Sequence, residues 1–95
     1  MAKNKIRVTA AMAAEAEPYF SAVVAAKLNA IGAKAGAKRF KADGPLRQRQ
    51  SRRAYQRYLD DGGKVGDWQS FMEWLLEHAD EIIAFIAKLI ALFAV

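Results

Sequence analysis

Residues 46–60, LRQRQSRRAYQRYLD, sort into two opposite faces when they are placed on an α-helix. One face carries Ala54, Tyr55, Tyr58 and Leu59, and the other carries Arg49, Arg52, Arg53 and Arg57. No acidic residue lies between Arg47 and Arg57, so the arginines lack the oppositely charged neighbours that often pair along a helix. The pattern predicts a helix that packs through its tyrosines and presents its arginines to something outside itself.

The rest of the chain also follows helical spacing, which predicts one small all-α domain, 1–95, of about three helices. The first helix is predicted at 18–31, because Pro18 suits a first turn, Gly32 suits a helix end, and Phe20, Val24 and Leu28 form an apolar stripe between them. Residues 1–17 are predicted to form an N-terminal arm. Thr9 can cap Ala-rich helical turns there, and Pro18 predicts a kink or break at their end.

Residues 32–45 combine Gly, Ala and Lys with little apolar bulk beyond Phe40. Such a composition buries too little surface to offset the entropy of ordering, so we expect a flexible basic linker. It resembles the Lys-Ala-Gly arms by which some chromatin and virion proteins hold nucleic acid. The alternative is a solvated linker whose lysines only keep the chain soluble.

The segment DDGGKVGDW, 60–68, is predicted to be a turn between helices. Its spacing fits neither a phosphate-binding loop nor a calcium loop, whereas Gly62 or Gly63 as a helix stop and Asp67 as an N-cap account for it.

The last element is predicted to be one long helix, 67–95, that changes from amphipathic to apolar. Its apolar residues cover an arc of about 200 degrees, wider than one neighbouring helix covers. Alanines at 84, 87, 91 and 94 form a small-residue seam that favours a close helix pair, although alanine is also simply a good helix former.

Self-association is therefore the first prediction for this helix, with membrane attachment as the alternative. A membrane-spanning role is weaker, because the least charged stretch reaches about 21 Å as a helix against about 30 Å of hydrocarbon. The residues predicted for self-association or membrane contact are Trp68, Phe71, Trp74, Leu75, Ile82, Phe85, Ile86, Ala87, Leu89, Ala91 and Phe93.

Positive charge is concentrated in the middle of the chain: residues 34–66 hold ten basic and three acidic residues, whereas 67–95 hold one and five. The predicted polyanion-binding residues are Lys34, Lys38, Arg39, Lys41, Arg47, Arg49, Arg52, Arg53 and Arg57. Arginine bonds two phosphate oxygens at once, and Gln48, Gln50, Ser51 and Gln56 add neutral donors along the same flank. The candidate partners are nucleic acid, anionic lipid, or the acidic residues of this protein's own last helix. Those acidic residues are Glu73, Glu77, Asp80 and Glu81, which could face the arginines within or between subunits.

No pattern in the sequence indicates an enzyme, a metal site or a cofactor. Cysteine is absent, and the one histidine, His78, falls at the edge of the apolar arc with no second ligand or nucleophile at a useful spacing. We therefore expect no catalytic residue, no cofactor and no small-molecule substrate.

Three classes of function fit these patterns. The first is a structural or assembly protein, for example a minor virion component, in which a basic middle binds a polyanion and the last helix forms a homo-oligomer. The second is a membrane-associated protein with its arginines at lipid head groups, and the third is a cationic, bacteriocin-like membrane-active protein. The expected location is the cytoplasm or a virion, or a membrane under the alternatives.

Overall fold

The computed structural model describes residues 6–93 and confirms the all-α class. It contains five helices rather than three: α1 (Ala10–Ala30), α2 (Lys34–Ala42), α3 (Gly44–Asp60), α4 (Trp68–Glu77) and α5 (Ala79–Phe93). The helices form a body of 46 × 23 × 22 Å. Helix α1 is the central element, because it packs against each of the other four.

Helix α1 begins eight residues earlier than predicted and runs through Pro18 without a break. The Thr9 hydroxyl caps it by accepting the N–H of Met12 at 3.2 Å, as the sequence predicts. Ala13 and Ala16 are buried before the proline, and this packing offsets the local preference for a kink. Gly32, at φ +82°, ends the helix where predicted, in the left-handed conformation that glycine adopts without steric cost.

Helix α2 replaces the flexible linker predicted at 32–45. This helix contributes few apolar side chains to the core, but Ala37 and Phe40 lie three residues apart on one face and are almost fully buried. The Phe40 ring packs 6.2 Å from that of Phe20 on α1, centroid to centroid. One large side chain among alanines therefore suffices to order the segment, because α1 and α5 already provide the surface that receives it.

Helix α3 matches the predicted helix closely, and its tyrosine face is buried. Asp43 caps it through the N–H of Leu46. The extended residues before α1 run beside it, where the Gln56 side-chain carbonyl accepts the N–H of Val8 at 2.9 Å and its amide donates to the carbonyl of Ile6 at 2.8 Å. Val8 is buried as a result, so the described part of the N-terminal arm belongs to the domain.

The tyrosines of α3 also organise the turn between α3 and α4. The Tyr58 hydroxyl accepts the N–H of Lys64 at 3.1 Å, and the Tyr55 hydroxyl accepts that of Gly66 at 3.1 Å. Gly63 lies so close to the Tyr58 ring that a Cβ atom there would overlap it. Asp67 caps α4 through the N–H of Ser70 at 3.1 Å, which confirms the predicted turn and N-cap.

The single C-terminal helix predicted at 67–95 is two helices, α4 and α5, that meet at His78. His78 caps α4, stacks on Trp74 with ring centroids 4.3 Å apart, and donates from Nδ1 to the Trp74 carbonyl at 2.8 Å. The break lets α4 pack on α1 and α3 while α5 packs on α1 and α2. An apolar arc too wide for one neighbour is thereby divided between different neighbours.

This division places several of the predicted self-association residues in the core of the chain itself. Phe71, Trp74, Leu75 and Ile86 are buried, and they are not available to a second subunit in the folded chain. Trp68, Ile82, Ala87 and Leu89 are half-buried, whereas Phe85 and Ala91 are exposed. The side chain of Phe93 lies outside the described residues, as does Ala94 of the predicted seam.

Candidate polyanion-binding surface

The predicted cations of 34–41 lie on the ordered helix α2, not on a mobile arm. Lys34, Lys38, Arg39 and Lys41 are all exposed. Ala37 and Phe40 occupy the buried side of this helix, so the basic side chains point away from the core. Their positions are therefore set by the fold.

Arg47, which is among the predicted polyanion-binding residues, is engaged in contacts inside the fold. Its Nε donates to Glu17 on α1 at 3.0 Å, and its Nη1 donates to the carbonyls of Phe40 and Lys41 at the end of α2. The side chain is only 23% exposed. One guanidinium thus joins three helices and adds charge-assisted hydrogen bonds to the carbonyls at the end of α2.

Arg49 and Arg52 lie next to α1 and are both exposed. They border an open groove whose other wall is the N-terminal half of α1, with Ala10, Ala14 and Glu17 among its lining residues. Neither arginine forms an ion pair with any residue between 6 and 93. Glu17, the acid in this groove, is already bonded to Arg47.

A second groove continues along the other half of α1. It is lined on α1 by Pro18, Ser21, Ala22 and Asn29, among others, and on the far side by Lys41 and Arg47. The two grooves border one exposed surface of α1 made of small side chains. We call this surface, with its flanking cations Arg49, Arg52 and Lys41, the α1 strip.

The α1 strip extends from Ala10 to Asn29, which is about 30 Å at 1.5 Å per helical residue. Its alanines present no bulk and no charge, so a partner can approach closely. Within the described residues, the three flanking cations have no acidic partner that would have to be displaced.

Arg53 and Arg57 face the other way, toward α5. The Arg57 Nη2 forms an ion pair with Glu81 at 3.0 Å, and its guanidinium lies 5.6 Å from the Trp74 ring. The Arg53 guanidinium lies 4.9 Å over the ring of Phe85. Of the acids that the sequence offers as internal partners, Glu81 is thus used, and it neutralises Arg57.

Two of the predicted neutral donors are occupied inside the fold. Ser51 is fully buried and donates to the carbonyl of Gln48 at 3.1 Å. Gln56 binds residues 6–8 and also donates to Asp60 at 3.1 Å. Gln48 lines the groove beside Arg49, and Gln50 lies beside Arg53.

The polar groups of the turn at 61–67 are likewise engaged in structural hydrogen bonds. The Asp61 carboxylate accepts the Trp74 indole N–H at 2.9 Å. The Asp67 carboxylate accepts the backbone N–H and the hydroxyl of Ser70, which together lower the pKa of Asp67. Burial raises the pKa of Tyr58.

Between residues 6 and 93, no three histidine or carboxylate side chains lie close enough to hold a metal ion.

Helix α5 leaves an apolar ridge on the surface. Phe85 is 40% exposed and Leu92 is 66% exposed, with half-buried Leu89 between them on the same helical face. We call Phe85, Leu89 and Leu92 the α5 ridge. Across the described part of the chain, no helix is both long and apolar enough to cross a membrane.

The sequence patterns did not indicate the partners of Arg47 and Gln56. Glu17 and Arg47 are 30 residues apart, and Val8 and Gln56 are 48 apart. Both contacts follow from the antiparallel placement of α1 and α3, which helical periodicity alone does not specify. Comparison with known proteins adds no further guide, because no family model, no curated protein and no solved structure matches this chain.

Proposed function

We propose that this chain is a non-enzymatic structural or assembly protein that binds the phosphates of a polyanion along the α1 strip. The observation that supports this most directly is the set of exposed cations Arg49, Arg52 and Lys41, which have no acidic partner among residues 6–93. Lys34 and Lys38 on α2 extend the positive charge beyond the strip. Contacts of this kind neutralise phosphates and release counterions without reading bases.

The strip also suits a backbone partner in shape. Most of its α1 residues are alanines, and its charged side chains come from two ordered helices, so little backbone entropy is lost when a rigid polyanion is bound. The ion pair with Arg47 neutralises Glu17, the acidic residue that lines the strip. Nucleic acid is the polyanion that these features favour.

The test is the salt dependence of binding to a fluorescently labelled 20-base-pair DNA duplex. Arg49→Gln combined with Arg52→Gln and Lys41→Gln is expected to weaken binding and to reduce the slope of log K against log salt by about two to three, since each lost phosphate contact removes about 0.9. The matched control combines Arg53→Gln, Lys64→Gln and Lys88→Gln, three exposed cations that do not line the strip. Equal losses in both variants would show that only net charge matters, and would reject the strip as the site.

Self-association is proposed through the α5 ridge. Exposed phenylalanine and leucine on one helix face mark a surface that burial against a second copy would stabilise. Sedimentation velocity tests this: Phe85→Ser with Leu92→Ser is expected to shift the protein toward monomer, whereas Ile31→Ser with Val65→Ser is not. Ile31 and Val65 are also exposed apolar residues, at 64% and 53%, so they control for a general loss of hydrophobic surface. A wild-type protein that is monomeric at all concentrations would overturn the proposal.

Membrane-surface attachment is the second candidate function, favoured by the proximity of Arg53 to the α5 ridge at Phe85. A basic side chain beside an apolar ridge suits the boundary between head groups and acyl chains. Flotation with vesicles of phosphatidylcholine and phosphatidylglycerol distinguishes the two functions. Attachment to the membrane predicts co-flotation that Phe85→Ser with Leu92→Ser abolishes, and assembly predicts none.

A further inference from the structure

A cleft between α3 and α5 brings together residues that the sequence assigned to separate duties. Over their described lengths, no Cα atom of α3 lies within 8 Å of a Cα atom of α5. The two helices are instead joined across the gap by long side chains, Arg57 to Glu81 and Arg53 to Phe85. The space between them has a volume of about 160 Å³.

The interior and the rim of this cleft differ in chemistry. Phe20 from α1, Ala54 from α3 and Ile86 from α5 are buried apolar residues that line it. Ile82 and Phe85 complete the apolar wall on the α5 side. The polar lining residues are Gln50, Arg53, Arg57 and Glu81, so two guanidinium groups stand at an otherwise hydrophobic opening.

We propose that this cleft binds a single-chain anionic amphiphile, with its head group at Arg53 and Arg57 and the first part of its alkyl chain between α3 and α5. The apolar lining favours methylene groups, and the guanidinium groups supply charge-assisted hydrogen bonds to a carboxylate or phosphate head. The volume corresponds to about five water-sized groups, which fits the beginning of a chain rather than a whole lipid.

The charges at the rim are arranged for such a head group. Arg53 is exposed and forms no ion pair with the described residues, so its charge is available. Glu81 pairs with Arg57 from the α5 side, and this pair is well exposed, at 42% and 64% of the two side chains. Exposed ion pairs contribute little free energy, so an incoming anion displaces Glu81 at small cost.

The cleft is separate from the α1 strip, because it shares no lining residue with either groove that borders the strip. The two proposals can therefore fail separately. Loss of duplex binding in the strip variant does not test amphiphile binding in the cleft. Loss of amphiphile binding in a cleft variant does not test duplex binding along the strip.

The experiment is a titration of the full chain with decyl phosphate below its micelle concentration, followed by the NMR methyl signals of Ile82 and Ile86 and by calorimetry. Decyl maltoside supplies the same chain without charge, and inorganic phosphate supplies the charge without the chain. Decyl phosphate is expected to bind at least about tenfold more tightly than either, because only it uses both parts of the cleft.

The variant Arg53→Gln with Arg57→Gln is expected to lose about tenfold or more in affinity for decyl phosphate. The matched control is Arg7→Gln with Lys64→Gln, which removes the same charge at two exposed residues that do not line the cleft, and it is expected to bind as the wild type does. Arg53→Gln alone, at an exposed residue without an ion pair, keeps the test decisive if the double variant unfolds.

Three results would overturn the proposal: equal affinity for decyl maltoside, equal loss in the control variant, or methyl signals of Ile82 and Ile86 that do not shift.

Vesicles containing phosphatidylglycerol distinguish the source of the ligand. Binding of decyl phosphate without binding of vesicles assigns the cleft to a free amphiphile, and binding of both assigns it to a lipid at a membrane surface.

Discussion

Helices α4 and α5 arise from one continuous apolar pattern, yet they are held to the protein by different kinds of contact. Helix α4 is fixed by directional interactions: the Asp67 cap, the Trp74 hydrogen bond to Asp61, and the packing of Phe71 among aromatic rings. Helix α5 is held by Ile83, Ile86 and Ile90 on its buried side and by two long arginine side chains. The contrast teaches that one continuous hydrophobic pattern can give two helices with different kinds of packing.

Aromatic packing explains why α4 is the more specified element. Phe71 is fully buried, and its ring centroid lies 5.1 Å from that of Tyr55, 5.2 Å from that of Tyr58 and 6.2 Å from that of Trp68. Aromatic pairs depend on relative orientation as well as on area. The stabilisation from the isoleucines of α5 depends mainly on the apolar area that they bury, so we expect this helix to open at a lower free-energy cost than α4.

The largest effect is expected from Phe71→Ala, which removes the centre of the aromatic layer. It should lower the free energy of unfolding by about 3–5 kcal/mol, because a large cavity is left among rigid rings. Urea denaturation followed by tryptophan fluorescence measures this. The control is Leu76→Ala at an exposed position of the same helix, for which a change below about 1 kcal/mol is expected. Equal effects at the two positions would contradict the central place given to Phe71.

Ile86→Ala on α5 is expected to lower the free energy of unfolding by less, about 2–3 kcal/mol. The adjoining cleft lets neighbouring side chains relax into the space that the substitution leaves. Native-state hydrogen exchange gives the sharper measurement. Amides of α5 should exchange through openings of lower free energy than those of α4, and the gap should widen in the variant. If both helices exchange together in wild type and variant, they form one cooperative unit and the contrast fails.

Gly63→Ala tests the turn that the tyrosines of α3 organise. The added methyl group would overlap the Tyr58 ring, so a loss of about 1–3 kcal/mol is expected from overpacking. Gly36→Ala on α2 is the control, since a Cβ atom there meets only ordinary contacts, and it should be neutral or stabilising. A thermal denaturation series on the two variants provides the comparison, and equal melting temperatures would remove the steric argument.

The smallest effect is expected from Asp67→Ala, and its pH dependence identifies the cap. A carboxyl whose pKa is lowered on folding stabilises the fold at pH values above its unfolded pKa, and this contribution is lost as the pH falls through the folded pKa. The stability difference between wild type and variant should thus be full at pH 7 and shrink below about pH 4. Glu15→Ala, at an exposed position of α1, is the control. A difference that does not change with pH would assign the effect to helix propensity instead.

Local patterns in the sequence predict much of this fold. The tyrosine and arginine faces of α3, the caps at Thr9 and Asp67 and the stop at Gly32 all depend on residues within one or two helical turns of one another. Such features are encoded locally, because side-chain spacing and backbone conformation determine them before any distant contact forms. The site prediction was local in the same way, since it placed the arginines on one face of a helix without specifying which neighbouring helices they reach.

Tertiary packing decided the features of the fold that local sequence patterns do not predict. The sequence alone determined that the chain is helical, which face of α3 is apolar, and where positive charge is concentrated. The ordering of α2 around Phe40, the continuity of α1 through Pro18, and the break at His78 required neighbouring helices to supply buried surface. Tertiary packing also separates the arginines of α3. Arg47 pairs with Glu17, Arg49 and Arg52 border α1, and Arg53 and Arg57 reach α5. The physical reason is that burial and charge pairing depend on residues distant in sequence, and their positions exist only once the helices have packed.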